Sequence, residues 1–272
     1  MAAAQIKNSF TGIGEIDASI SPSSLVLKLA VSTNSLRYFV LNKAHGQVLF
    51  YGNYTLHHVS DSAELAQRVQ RIYDKDDVLQ YKFSEILIGF DSPYTLMPSQ
   101  LSYMAGAHQL SQRCGENSLD LFFEKDDVLV ELFDFIVRQP KYLHLASTYL
   151  HLLPHYVAYG EQKLFINVSA THFDVIHFSA EKHLQIMNRY SYKNENDLIY
   201  YVLLYCDEMK LDREQLDLIM MGEVDVKSKI YDICFRYFSN INFIDAPTGI
   251  GFSKAFDKYA KHLHFNLYNL SE

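Results

Sequence analysis

The order of secondary-structure signals predicts a mixed α/β fold laid down twice along one chain. Three observations carry the prediction. Each half opens with three short apolar runs of strand character. Each continues with a capped amphipathic helix, and each then has a near-continuous apolar run followed by a further helix.

In the first half the apolar runs are 25–31, 36–41 and 48–54, rich in β-branched and aromatic residues. Turn chemistry separates them, Thr33-Asn34-Ser35 and then Asn42-Lys43-Ala44-His45-Gly46, so they read as a meander. Asp61 with Glu64 three residues on opens a helix whose Leu65, Val69, Ile72 and Tyr73 share a face. After Asp74-Lys75-Asp76-Asp77, the stretch 83–90 is apolar enough for a parallel strand covered on both faces. Pro98 suits the first turn of another helix, with Leu101, Met104 and Leu110 on its inner side.

The second half repeats the order. Runs 163–168, 173–178 and 184–190 precede a helix begun by Asn194 and Asp197, with Leu198, Val202, Tyr205 and Met209 on one face. A strand at 216–221, Gly222, a helix over 226–238 and a strand at 241–244 follow. Leu25 is thereby expected to match Leu164, and Phe83 to match Leu216. Between the halves, 119–123, 128–135 and 142–146 suit strands or short helices, and 147–155 is helical until Pro154. A boundary near Tyr159-Gly160-Glu161 divides the chain into 20–158 and 159–272.

A strand-strand-strand-helix-strand-helix unit is the plan of a ribonuclease-H-like half-domain. Two in tandem make the actin-like ATPase architecture, with α+β mixed sheets and a cleft between the halves. Two unrelated α+β domains sharing common elements would give the same list.

Composition narrows the partner classes. Apolar residues at 49% and charged ones at 21% describe a globular chain. A net charge of −8 disfavours nucleic acid and anionic membranes, which both want a positive footprint. No apolar run reaches the roughly 20 residues that span a bilayer. Met1-Ala2-Ala3-Ala4-Gln5-Ile6-Lys7 lacks the pattern of a signal peptide, and three scattered cysteines suit a reducing compartment. The expectation is a cytoplasmic protein that is not membrane-integral.

Nucleotide hydrolysis in such a cleft needs a carboxylate at each first hairpin to hold the Mg²⁺ shell, and glycine for close approach to phosphate. The first turn reads Val31-Ser32-Thr33-Asn34-Ser35 and the second Asn167-Val168-Ser169-Ala170-Thr171-His172; neither holds an acid or a glycine. Ser32, Thr33, Ser169 and Thr171 are therefore candidate anion-binding hydroxyls of a vestigial site. Gly222 and Glu223, between strand and helix, are candidates for adenosine contact. Two-metal cleavage lacks its acids as well, because Asp91 stands alone at the turn Asp91-Ser92-Pro93.

Other chemistry is weaker. His151 and His155 have ligand spacing, with His144 as a third candidate, but Pro154 intervenes and ordinary histidines are expected, as at His57-His58. Cys206 and Cys234 fall in apolar helix patterns and read as core thiols, while Cys114 lies beside Gly115. Twenty tyrosines are the compositional excess, and Tyr190, Tyr192, Tyr200, Tyr201 and Tyr205 gather around the second helix. A tyrosine-rich rim suits protein contacts.

Several segments carry a resemblance: Tyr94-Thr95-Leu96-Met97-Pro98 with Leu101, residues 144–153, Asn188-Arg189-Tyr190-Ser191-Tyr192 with Asp197 and Tyr200-Tyr201, and Met221-Gly222-Glu223. In this order, and through to Phe265-Asn266-Leu267-Tyr268-Asn269-Leu270, the chain resembles a bacterial domain-of-unknown-function family with an actin-like ATPase fold. The resemblance implies the tandem fold and brings no activity. The expectation is a non-catalytic interaction or scaffold protein with an unidentified protein partner, no metal and no required cofactor. The alternative is an ATP/Mg-binding ATPase or sugar-kinase-like phosphotransferase whose cleft acids, such as Asp91 or Asp245, are remote in sequence.

Overall fold

The structure is a computed structural model and describes residues 9–104, 109–114 and 119–271. Met1 to Lys7 and the side chains of Met104 and Cys114 lie outside the described residues.

The chain begins with strand β1 (Ser9–Gly14) and then the expected meander, β2 (Leu25–Ser32), β3 (Ser35–Asn42) and β4 (Gln47–Thr55). Helix α1 (Ser62–Tyr73) starts where Asp61 accepts the Glu64 N–H, and it presses Leu65, Ala66, Val69 and Ile72 inward. Strand β5 (Glu85–Phe90) follows, parallel to β2. Strands β6 (Tyr94–Pro98), β7 (Gln109–Cys114) and β8 (Leu119–Glu124) form a separate sheet in the order β6-β8-β7. Next come α2 (Asp127–Ile136), β9 (Lys141–His144) and α3 (Ser147–Leu152).

The second series is β10 (Lys163–Val168), β11 (His172–Phe178), β12 (Leu184–Ser191), α4 (Glu195–Glu208), β13 (Asp217–Gly222), α5 (Lys229–Cys234) and β14 (Asn240–Phe243). Strand β15 (Gly251–Phe252) and α6 (Phe265–Tyr268) end the described chain.

Two compact units result. One comprises Met1–Thr148, Thr248–Lys258 and Asn266–Glu272; the other comprises Tyr149–Pro247 and Tyr259–Phe265. The expected single cut between 158 and 159 differs from this division at the linker and in the returning C-terminal segments. Those segments carry no periodicity long enough to announce where they go.

Each unit has its own sheet. The first runs β1-β4-β3-β2-β5-β9, with β15 also beside β4; the second runs β12-β11-β10-β13-β14. Without β1 and β15, the two have the same order and the same strand senses. The irregularities repeat too. A bulge interrupts β3–β4 pairing between Val40 and Leu41, and another interrupts β11–β12 pairing between His177 and Phe178, the corresponding place. Beyond each meander the next amide turns back the same way: Leu56 N–H donates to Asn34 O and Tyr192 N–H to Thr171 O. The duplication is thus written in backbone hydrogen bonds, although side chains differ.

These pairings correct the expected match. Val31 corresponds to Val168, so Leu27 rather than Leu25 matches Leu164, and Ser84 rather than Phe83 matches Leu216. Two further expectations give way. Pro98 ends an edge strand, where a missing N–H costs nothing, and a short 3-10 turn (Ser99–Met104) replaces the helix. The helix drawn over 226–238 shrinks to α5, because Asp225 accepts the Lys227 N–H in a tight turn and Ser228 becomes the N-cap. The separate cores centre on Leu27, Tyr38, Val69 and Phe133 in one unit, and on Ile166, Phe173, Val202 and Met220 in the other.

Candidate functional site

At one end of the second sheet, three connections meet: the β10–β11 turn, the end of β12 with the start of α4, and the crossing after β13. The Tyr192 hydroxyl donates to Ser169 O at 2.7 Å, and the Tyr192 N–H donates to Thr171 O at 3.2 Å. The Glu223 N–H donates to Val168 O at 2.7 Å, so the Gly222-Glu223 step is bound to the last residue of β10. Ser169, Thr171, Gly222 and Glu223, four of the six residues expected from sequence, are therefore neighbours. Ser32 and Thr33 belong to the corresponding turn of the other unit.

Gly222 has a specific reason to be glycine. Its φ is +83°, and a Cβ there would lie 2.2 Å from Val168 O, a backbone atom that cannot swing aside. Its N–H donates to His262 O at 2.9 Å, and His262 Nε2 sits 2.7 Å from Val224 O. The His262 ring stacks on Phe243 with centroids 4.2 Å apart. Burial keeps the His262 pKa below its usual value, against a smaller upward pull from Val224 O and Asp225.

Beside this end lies a surface pocket of about 370 Å³ lined by Ser191, Tyr192, Lys193, Asp197, Tyr200 and Tyr201. Asn194 caps α4 by accepting the Asn196 and Asp197 amides, and Asp197 accepts the Lys193 N–H at 2.8 Å. Asp197 is thus occupied in holding the helix start. Tyr201 stacks on Tyr190 at 4.7 Å, Tyr190 on Phe173 at 5.5 Å, and Tyr200 stands edge-on to Tyr201. Burial, and secondarily the Glu223 charge, raise the Tyr192 pKa. The pocket offers aromatic faces, hydroxyls and one exposed ammonium, which is recognition chemistry.

In the first unit the corresponding turn uses its serine hydroxyls internally, and Thr33 is exposed. Ser32 Oγ donates to Asn34 Oδ1 at 2.6 Å and lies 3.0 Å from Ser35 Oγ. Of the remote acids, Asp91 is half-buried beyond β5, and the Asp245 backbone carbonyl accepts the Tyr156 hydroxyl.

The candidate histidines lie apart in the fold. His144 is buried, with Nε2 2.9 Å from Ser92 O and Nδ1 accepting the Ala146 N–H. Helix α3 ends before Pro154, so His151 and His155 do not share a helix face. Among the described residues no group of three His, Cys, Asp or Glu is placed to hold a metal. Cys206 and Cys234 are core thiols, pushed by burial up to about 11 and about 12.

Among the buried ionisable groups that sequence reasoning missed are Asp174, His177 and Lys28. Asp174 is fully buried and takes Arg189 Nε and Nη2 at 2.7 and 3.0 Å, with the Tyr149 hydroxyl at 3.0 Å. His177 lies in the same strand against the Tyr205 hydroxyl at 2.8 Å, and burial brings it down to about 4. Lys28 donates to Tyr268 O at 2.7 Å, and burial takes it down to about 8 despite Glu85. The available signal was a lone charge within an otherwise apolar strand run.

Solved structures share this architecture. A Bacteroides thetaiotaomicron protein, described as having an actin-like ATPase fold and unknown function, matches with a TM-score of 0.70 at 14% identity, over 85% of this chain and 94% of its own. A chain of the PilM-PilN type IV pilus biogenesis complex gives 0.58 at 9% identity, over 91% and 99%. The ethanolamine utilization protein EutJ from Carboxydothermus hydrogenoformans gives 0.51 at 8% identity, over 90% of each. At these identities the likeness establishes the fold alone, and the fold is the actin-like ATPase one. No curated protein matches the chain. The family described as Protein of unknown function (DUF3822) matches residues 19–111 and 107–241, most of the sequence, and the chain belongs to that family.

Proposed function

We propose that the protein is a non-catalytic user of the actin-like fold that works by docking a protein partner. The reading is carried by Gly222. Its amide is engaged by His262 and its missing side chain makes room for Val168 O, so the backbone crossing accounts for the glycine without an adenosine. The Ser32 hydroxyl is likewise turned onto its own hairpin. Exposed Tyr200 and Leu204 on α4, with Phe235 and Tyr237 at the end of α5, supply the aromatic surface that protein contacts favour. PilM, one of the structural neighbours, is seen in a complex with PilN.

A second reading, an ATP/Mg-dependent ATPase or phosphotransferase, draws on Glu223, an acid whose charge reaches Tyr192 at the Ser169 turn. Thermal unfolding with millimolar Mg·ATP, run beside a phosphate-release assay, separates the two. A nucleotide present at a hundred times its Kd would stabilise the fold by about 2.7 kcal/mol, a shift of several degrees. The expected result is no shift and no phosphate release. A Mg²⁺-dependent shift with turnover overturns the docking reading.

A further inference from the structure

Among the described residues strand β12 has one neighbour, whereas its counterpart in the other unit has two. In the first unit β4 takes β1 antiparallel along its outer side, from Ser9 opposite Thr55 to Gly14 opposite Phe50, and β15 covers Gln47 and Val48. In the second unit β12 pairs with β11 and, among the described residues, with no other strand. Antiparallel strands alternate the side to which their backbone groups point. The Leu56 amide faces β3, so Tyr51, Asn53 and Thr55 present theirs to β1. The Tyr192 amide faces β11, so by the same count Met187 and Ser191 present theirs outward. Such a row is a template for a further strand.

We infer that the β12 edge accepts an extended, acid-flanked segment of a partner protein as an added antiparallel strand. The inference rests on the docking reading and gives it a place. Charge selects the occupant. Residues 182–193 contain Lys182, Arg189 and Lys193 and no acid. Arg189 is neutralised by Asp174, which leaves exposed lysines at the two ends of the edge. At the lower end Glu181 holds the Ser179 hydroxyl, and at the upper end Asp197 holds an amide. A second copy of β12 laid antiparallel and centred on Asn188 would bring the Lys182 turn of each copy toward Lys193 of the other, like charges that disfavour self-pairing. Side-chain preference follows from the closed edge. Phe10 lies opposite Tyr54 with ring centroids 4.5 Å apart, and Tyr190 holds the position of Tyr54, so an aromatic residue is favoured there.

The test uses the full chain and a labelled peptide, Glu-Ser-Phe-Thr-Val-Ile-Thr-Glu, beside the same peptide with lysine at both ends. Fluorescence anisotropy should show the acid-flanked peptide binding at least about five-fold more tightly at low salt. Hydrogen exchange should slow at the Met187 and Ser191 amides. Ser191→Pro removes an outward N–H without touching the internal ladder and should weaken binding about ten-fold or more. The double variant Lys182→Glu/Lys193→Glu should reverse the preference between the peptides, which decides the matter if the proline variant does not fold. Equal binding of both peptides, no binding, or unaltered exchange at those amides overturns the inference. So does protection of the same amides by concentrated protein alone, which would make a second copy the occupant. Protection confined to α4 and α5 would remove the edge and keep the docking reading, whereas ATP turnover would remove the docking reading alone.

Discussion

The two units share a backbone plan and solve its interior differently. Under the first sheet the carboxylate of Asp76 gathers the hydroxyls of Tyr38 and Tyr54 at 2.6 and 2.8 Å and the amides of Val78 and Leu79. Burial, with the Asp76 charge, holds both tyrosines far above their usual titration range. In the second unit the position of Tyr54 is taken by Tyr190, which stacks on Tyr201 instead. The cross-strand pair Arg37–Asn53 has become the ion pair Asp174–Arg189. Strand order and bulge position are thus the heritable part of the plan, and polar anchoring is open to replacement.

The comparison predicts where each unit breaks. Arg189→Leu leaves Asp174 buried with its charge unmatched and should cost about 4 kcal/mol, felt first in the second unit. Asp76→Ala should cost about 3 kcal/mol in the first, by stranding the buried Tyr38 hydroxyl. Chemical denaturation followed residue by residue checks both, and equal loss across the two units would erase the contrast. Gly222→Ala comes next at about 2–3 kcal/mol, for a positive φ and a backbone clash together.

The smallest effect is also the most selective, because it is set by pH. His177 binds a proton near pH 4 in the fold and near 6.5 when unfolded. The unfolded chain therefore holds more protons in between, and stability present above pH 6.5 is lost as pH falls toward 4. Lys28 has the same sign in another window: between about 8 and 10.5 the unfolded chain again holds more protons, so stability rises with pH. His177→Gln should flatten the acid limb, and Lys28→Met the alkaline limb. Stability measured from pH 4 to 10 tests both, and unchanged limbs would remove the role given to burial.

Sequence made the repeated meanders legible because each strand is apolar, short and closed by turn residues. Asp61 and Asn194 announced their helices by type and spacing, and both cap as expected. Strand β1 was invisible, since it is largely exposed and has no apolar alternation to betray it. The pairing of β1 with β4 could not be foreseen, nor could the single neighbour that β12 has among the described residues. At the site, Ser169, Thr171, Gly222 and Glu223 were found by position within an inferred fold. The bond from Tyr192 to Ser169 was not, because a hydroxyl meeting a carbonyl so far along the chain leaves no local trace. Asp174 left a trace, a charge inside an apolar strand run, but its pairing with Arg189 left none.

The clasp of His262 on Gly222 and Val224 has a bearing on how the molecule is made. Neither unit is one unbroken stretch of polypeptide. A nascent chain that stops at Pro247 has every strand of the second sheet and still lacks the carbonyl that Gly222 needs. Excising that sheet for study therefore calls for a splice that carries Tyr259–Phe265 along with it.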